Sequence, residues 1–130
     1  MTGIDTNILV RFFTKDDLEQ GSRVADFMRA LRPESPGFVS LVSLIELVWV
    51  LRGKYRLSKA ELIQCLEQLL NSPEVMVENH TAVTLALRRF SHFKADFADC
   101  LIERSGGAAG CQETVTFDED AARFARMRLL

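Results

Sequence analysis

The sequence has few cysteines and little net charge. Its three cysteines, Cys65, Cys100 and Cys111, are widely spaced, with no C-x-x-C pair and no histidine at a zinc-finger distance. This spacing indicates neither a disulfide framework nor a zinc site. The net charge of −2 gives no general attraction to nucleic acid or anionic lipid. A polyanionic partner must therefore meet a local basic patch or bound cations.

Long apolar runs are also missing. No run approaches the roughly 18 residues that span a bilayer, and Asp5 stands where a secretory signal would carry basic and then apolar residues. We therefore expect a cytoplasmic protein without membrane contact. With 48% apolar and 26% charged residues, the 130-residue chain is expected to form one domain over residues 1–130.

Strand-like and helix-like segments alternate along the chain. Short β-like runs are "MTGID", "GFVS", "EVMVEN" and "ETVTF". Helical spacing or capping signals mark residues 6–13, 16–32, 41–51, 58–70, 81–91, 97–105 and 119–128. This alternation predicts an α/β fold with a central parallel sheet of four to five strands and helices on both faces. Functional groups are then expected at the carboxyl ends of the strands.

Four carboxylates occupy comparable places in this pattern. Asp5 and Asp118 each follow a predicted strand, and Asp99 lies one turn after Asp96 at the start of a predicted helix. Glu46 lies within the helix that follows the second strand. Taken singly, each acid has a structural interpretation, because Asp5 and Asp118 suit N-caps and both Ser43-x-x-Glu46 and Asp96-x-x-Asp99 resemble capping boxes.

Glu46 is the hardest of these to explain as a cap. It stands in the apolar run "SLVSLIELVWVL", and no basic residue lies three or four positions away on either side. A charge in apolar surroundings needs a partner. A divalent cation shared with other carboxylates would supply one, since Mg²⁺ and Mn²⁺ prefer oxygen ligands.

Four segments together resemble a known family. In order and spacing, "DTNILVRFFTKDD", "SLIELVWVL", "DFADCLI" and "TFD" resemble the PIN-domain nucleases, most closely the VapC-type toxins of toxin–antitoxin pairs. The resemblance implies a three-layer α/β sandwich and an endoribonuclease that cleaves RNA with Mg²⁺ or Mn²⁺. It implies catalytic roles for Asp5, Glu46, Asp99 and Asp118, with Asp5, Asp99 and Asp118 as metal ligands. It also implies a homodimer and a cognate antitoxin.

Several neighbouring residues are candidates for supporting roles. Thr6, Asn7 and Thr116 would hydrogen-bond the acidic ligands. Basic residues near the predicted site could contact phosphates or simply be solvated: Arg11, Lys15, Arg52, Lys54, Arg56 and Lys94. Trp49 and Phe97 could stack on bases, although their apolar helical spacing favours core packing.

Two of the predicted helices are rich in apolar residues. The run "LVSLIELVWVL", with the helix around Leu62, Leu66 and Leu69, offers more apolar surface than one sheet face would cover, which supports a dimer.

A receiver-like domain is disfavoured, because the third strand ends "VEN" and no lysine follows Lys94. A housekeeping PIN nuclease and an inactive PIN-like binding module remain as alternatives.

Overall fold

Seven helices and five short strands alternate along the chain in the computed structural model, which describes residues 1–130. The helices are α1 (Thr6–Phe13), α2 (Leu18–Ala30), α3 (Leu41–Gly53), α4 (Lys59–Asn71), α5 (His80–His92), α6 (Phe97–Ala108) and α7 (Glu119–Phe124). The strands are β1 (Thr2–Gly3), β2 (Gly37–Val39), β3 (Val75–Val77), β4 (Val115–Thr116) and β5 (Arg128–Leu129). The chain forms two compact units, Met1–Glu78 and Asn79–Leu130.

The first unit contains a three-stranded parallel sheet in the order β1-β2-β3. Thr2 pairs with Gly37, which in turn pairs with Val75. Gly37 packs closely against Ile4, since a Cβ at this position would lie 2.5 Å from Cδ1 of Ile4 and would displace that side chain. The approach seats Ile4 in the core and places Asp5 directly after the sheet.

The helices of the first unit form where the sequence predicts them. Ser58 and Glu61 make the predicted capping box at the start of α4, with each side chain accepting from the other residue's backbone N–H. Helix α4 contacts β3, and Leu62, Leu66 and Leu69 are all buried. The apolar face of α4 is therefore used within the fold, whereas α3 leaves Val42 and Trp49 exposed, so the predicted surplus of apolar surface is confined to α3.

The second unit is built on the packing of α5 against α6. Phe90 and Phe97 meet edge to face with ring centroids 5.8 Å apart, and both are buried. Strands β4 and β5 pair in parallel, and α7 contacts both. The two candidate acids of this unit lie in the first turn of α6 (Asp99) and after β4 (Asp118).

The prediction of a mixed α/β fold with parallel strands is confirmed. The five strands pair as three and two. Two helix ends differ from the predicted ones by three residues or more. Helix α6 continues into the "SGGAAG" segment as far as Ala108, and α7 ends at Phe124, before β5 begins at Arg128.

The longer α6 has a clear physical cause at its end. Gly110 adopts a left-handed conformation with φ of +98°, and the N–H groups of Cys111 and Gly110 donate to the carbonyls of Gly106 and Gly107. This is a Schellman motif, which satisfies the last carbonyls of a helix. Gly110 therefore ends α6, while Gly106 and Gly107 remain helical.

No helix in the chain combines the length and apolarity that crossing a membrane requires.

Candidate active site

Asp5 is held at the point where the sheet of the first unit gives way to α1. It is the N-cap of that helix, and its Oδ1 accepts a hydrogen bond from the N–H of Thr6 at 2.8 Å. The residue is exposed. The cap fixes the direction of the carboxylate, and exposure leaves the group accessible to a ligand from solvent.

Glu46 lies on α3, a helix that contacts α1. The N-cap of α3 is Ser40, whose Oγ accepts from the N–H of Ser43 at 3.1 Å. The Ser43-x-x-Glu46 capping box is therefore wrong, and Glu46 stands in the second turn of the helix. A second contact anchors the start of α3, because Glu78, just after β3, accepts from the N–H of Leu41 at 2.9 Å.

The predicted burial of Glu46 is also wrong. Glu46 is exposed, and no charged side chain in the chain is buried. Helix α3 is apolar on nearly all sides, but Val42 and Trp49 are 69% and 74% exposed on the face that carries Glu46. A carboxylate that needs no structural partner and carries no cap remains a candidate for function.

Three acids of the second unit interact electrostatically. Asp96 is the N-cap of α6 without a side-chain capping hydrogen bond, and Asp99 lies in the first turn. Partial burial, followed by the charges of Asp96 and Asp118, raises the pKa of Asp99. Like charges held together in this way favour a bound cation. Asp96 therefore belongs to the same acidic cluster as Asp99 and Asp118.

Asp118 is fixed by two local hydrogen bonds. As N-cap of α7, its Oδ1 accepts from the N–H of Ala121 at 2.9 Å. Its own N–H donates to Oγ1 of Thr116 at 3.0 Å. Thr116 thus positions Asp118 through the backbone, whereas the sequence suggested a bond to the carboxylate itself.

The donor chemistry of these acids suits a hard cation. All are carboxylates, the oxygen ligands that Mg²⁺ and Mn²⁺ prefer, and the pKa of Asp99 is raised by partial burial and then by the charges of Asp96 and Asp118. The structure contains no group of three or more histidine, cysteine, aspartate or glutamate side chains arranged to hold a metal ion. A cation shared by Asp5, Asp99 and Asp118 stays a prediction.

A polar network in the first unit changes the interpretation of Arg11. Its guanidinium donates to Oδ1 of Asp16 at 2.8 Å and to the Tyr55 hydroxyl at 3.1 Å. Tyr55 donates in turn to Asp16 at 2.7 Å, and this bond is the largest cause of the lowered pKa of Asp16. Asp17, not Asp16, caps α2. Arg11 therefore holds the α1–α2 turn against the end of α3.

The two aromatic candidates differ in their environments. Phe97 is 1% exposed and packs in the core, as its spacing predicts. Trp49 is 74% exposed, so the prediction that it packs in the core is wrong. The sequence could not separate the two, because both stand in apolar helical patterns.

Comparison with known proteins gives two matches. The family model of the PIN domain matches residues 4–127, a range that includes all four candidate acids. A protein named VapC ribonuclease from Aquifex aeolicus (strain VF5) is 26% identical over 115 residues, which cover 88% of this chain and 84% of that protein.

Proposed function

The chain belongs to the PIN-domain family, and from this we propose that it is an endoribonuclease that uses Mg²⁺ or Mn²⁺ to hydrolyse RNA phosphodiester bonds. The similarity to a protein named as a ribonuclease supports RNA as the substrate. The structural observation that carries the proposal is the placement of Asp96 and Asp118 close enough to the partly buried Asp99 for their charges to act on it. A bound cation would stabilise this cluster by offsetting the repulsion between its negative charges.

The proposed metal ligands are Asp5, Asp99 and Asp118. When bound, the divalent cation would neutralise charge on the phosphate and lower the pKa of a water molecule. The protein's part is to hold its carboxylates in place. Backbone N–H groups of α1 and α7 already fix one oxygen each of Asp5 and Asp118.

Glu46 is proposed to orient the attacking water and accept its proton. Its exposure and its lack of a capping role leave the carboxylate available for this work. Water then adds to phosphorus as one P–O bond of the RNA breaks, and the departing oxygen takes up a proton. Thr116 supports the reaction indirectly by ordering Asp118.

We further propose that the protein is the toxin of a toxin–antitoxin pair, acts in the cytoplasm and forms a homodimer. The exposed Val42 and Trp49 on α3 support contact with another protein chain, because large apolar side chains on one helix face favour burial in an interface. A cognate antitoxin would relieve the growth defect that production of this chain alone should cause. Normal growth with active nuclease would favour a housekeeping enzyme.

The test of this function is an RNA cleavage assay on the purified full chain. Single-stranded RNA is incubated with Mg²⁺, with Mn²⁺ or with excess EDTA. We expect cleavage with either metal and none with chelator. The variant Asp99→Asn should be inactive, while Asp120→Asn, which removes an exposed acid of α7, should cleave normally. Undiminished cleavage in EDTA would refute the metal mechanism. Binding without cleavage under all conditions would favour an inactive binding module.

A further inference from the structure

A basic cavity of about 380 Å³ lies within the second unit. It is lined by parts of α5 and α6 and by the segment after α7. Ten lining residues include four arginines and one histidine: Arg88, Arg89, Arg104, Arg126 and His92. We refer to it as the arginine cavity.

The concentration of positive charge here is local. Residues 79–130 contain seven arginines and lysines and seven aspartates and glutamates, so the unit as a whole is balanced. Four of those seven basic residues line the arginine cavity, against one acid, Glu103. Such segregation produces a positive potential that bulk charge does not reveal.

The arginines of the cavity differ in their existing bonds. Arg104 is paired with Glu103, so its charge is largely neutralised. Arg89 donates from Nε to the carbonyl of Phe124 at 2.8 Å, and its guanidinium stacks 3.9 Å from the Phe93 ring centroid. Arg88 and Arg126 are exposed at the rim. Together with Arg89, these two supply the positive charge that Glu103 does not offset.

An exposed aromatic ring accompanies the cations. Phe93 lines the cavity and is 44% exposed, with Arg89 against its ring. Positive side chains beside an exposed ring are the combination with which proteins hold single-stranded nucleic acid, because the cations meet phosphates and the ring meets a base.

The arginine cavity also lies close to the acidic cluster along one helix. Asp99 and Glu103 are four residues apart on α6, which corresponds to about 6 Å along the helix axis. Both face the same side of the helix. A strand whose phosphate reaches Asp99 therefore passes the cavity within its next nucleotides.

We propose that the arginine cavity binds the phosphodiester backbone of the RNA substrate next to the scissile bond, with Arg88 and Arg126 as the main phosphate contacts. This inference rests on the proposed ribonuclease function and adds the surface that holds the strand. It explains how a chain of net charge −2 can bind a polyanion.

The test measures binding without cleavage. End-labelled single-stranded RNA is titrated with the full chain in EDTA at several KCl concentrations, and the slope of log K against log[KCl] is recorded. The slope is about −0.7 per neutralised phosphate for single strands, so Arg88→Gln with Arg126→Gln should make it shallower by about 1.4. Arg88→Gln alone, which changes an exposed helical residue and is expected to leave folding intact, should make the slope shallower by about 0.7.

The control is a pair of exposed arginines in the first unit, Arg29→Gln with Arg32→Gln, which removes the same charge. Its slope should equal that of the unmodified protein. Equal slopes for all proteins, or an equal loss in the control, would overturn the proposal. If the cavity variants bind RNA normally but lose affinity for a protein partner, the cavity is a protein-binding surface and the proposal is also wrong.

The two proposals fail separately. RNA binding with the expected slopes but no cleavage in Mg²⁺ or Mn²⁺ would remove the nuclease function and keep the arginine cavity as an RNA site. If the unmodified chain cleaves RNA with metal but the cavity variants bind RNA like the control, the nuclease function stands and the arginine cavity is not an RNA site.

Discussion

The pKa of Asp99 is raised by partial burial and then by the charges of Asp96 and of Asp118, which lies nineteen residues later in the chain. Asp99 lies in the first turn of α6 and Asp118 is the N-cap of α7, so each could be explained singly as a helix-terminal acid. Neither helix needs these charges near a partly buried carboxylate. They disfavour the ionised form of Asp99, and this is a cost that a cation would remove.

The pH dependence of stability should reveal this cost. The folded-state pKa of Asp99 is raised, so the metal-free folded state binds the proton more tightly than the unfolded chain does. Asp99 therefore contributes most to folding stability below the ordinary aspartate pKa of about 3.9. This contribution is lost as the pH rises through the higher pKa that Asp99 has in the folded state. Asp99→Asn should abolish this loss and be more stable at neutral pH, by no more than about 1 kcal/mol because the group is partly exposed.

Urea unfolding of both proteins across this pH range, in EDTA, measures the difference. Asp120→Asn serves as the control and should follow the unmodified profile. A difference between Asp99→Asn and the unmodified protein that does not change with pH would contradict the raised pKa.

The N-cap of α3 can be tested by comparing two serines. Ser40→Ala removes the side chain that accepts from Ser43 N–H, and it should cost about 1 kcal/mol of unfolding free energy. Ser43→Ala should cost less than about 0.5 kcal/mol, because Ser43 lies inside the helix. Thermal or urea unfolding provides both values. A larger cost for Ser43→Ala than for Ser40→Ala would indicate that Ser43 and Glu46 form a capping box after all.

Glu46→Gln should separate catalysis from stability. Because Glu46 is exposed, the change should alter the unfolding free energy by less than about 0.5 kcal/mol. Loss of a general base should lower the RNA cleavage rate by about a hundredfold or more. Glu67→Gln, an exposed acid on α4, is the matched control and should retain full activity. Full activity of Glu46→Gln would remove the residue from the reaction.

Trp49→Ala should weaken assembly without unfolding the chain. The side chain is 74% exposed, so its truncation should change the unfolding free energy by less than about 0.5 kcal/mol. If α3 forms the interface, the same change should cost roughly 2 kcal/mol of association, as for buried interface tryptophans. Sedimentation velocity over a concentration series measures this. Leu18→Ala, 85% exposed on α2, should leave association unchanged, and an equal effect of both variants would exclude an interface on α3.

Local signals predict much of this fold. The capping box at Ser58 and the apolar spacing of Leu62, Leu66 and Leu69 fix α4 without tertiary information. Strand β5 escapes prediction, because Arg128 and Leu129 are too few to show alternation and owe their conformation to pairing with β4. The extent of α6 depends on the left-handed Gly110, which cannot be distinguished in sequence from the glycines before it.

The positions of the candidate acids in the fold could be predicted from the sequence, but their surroundings could not. Asp5, Asp99 and Asp118 follow strands or begin helices, and these positions are visible in the sequence. The exposure of Glu46 could not be predicted, because an apolar helix is buried on all sides only when other elements pack against every face. The arginine cavity was missed because its residues are scattered between positions 85 and 126 and meet only through the packing of α5 and α6.

The central claim is that carboxylates including Asp99 bind a divalent cation, and thermal unfolding with and without Mn²⁺ tests it most directly. A cation that binds only the folded state stabilises it by roughly 2.7 kcal/mol at a hundredfold excess over Kd. The unmodified protein and Asp120→Asn should show this increase, while Asp99→Asn should lose most of it. Equal Mn²⁺-induced shifts in all three proteins would contradict the claim and leave Asp99 a structural residue.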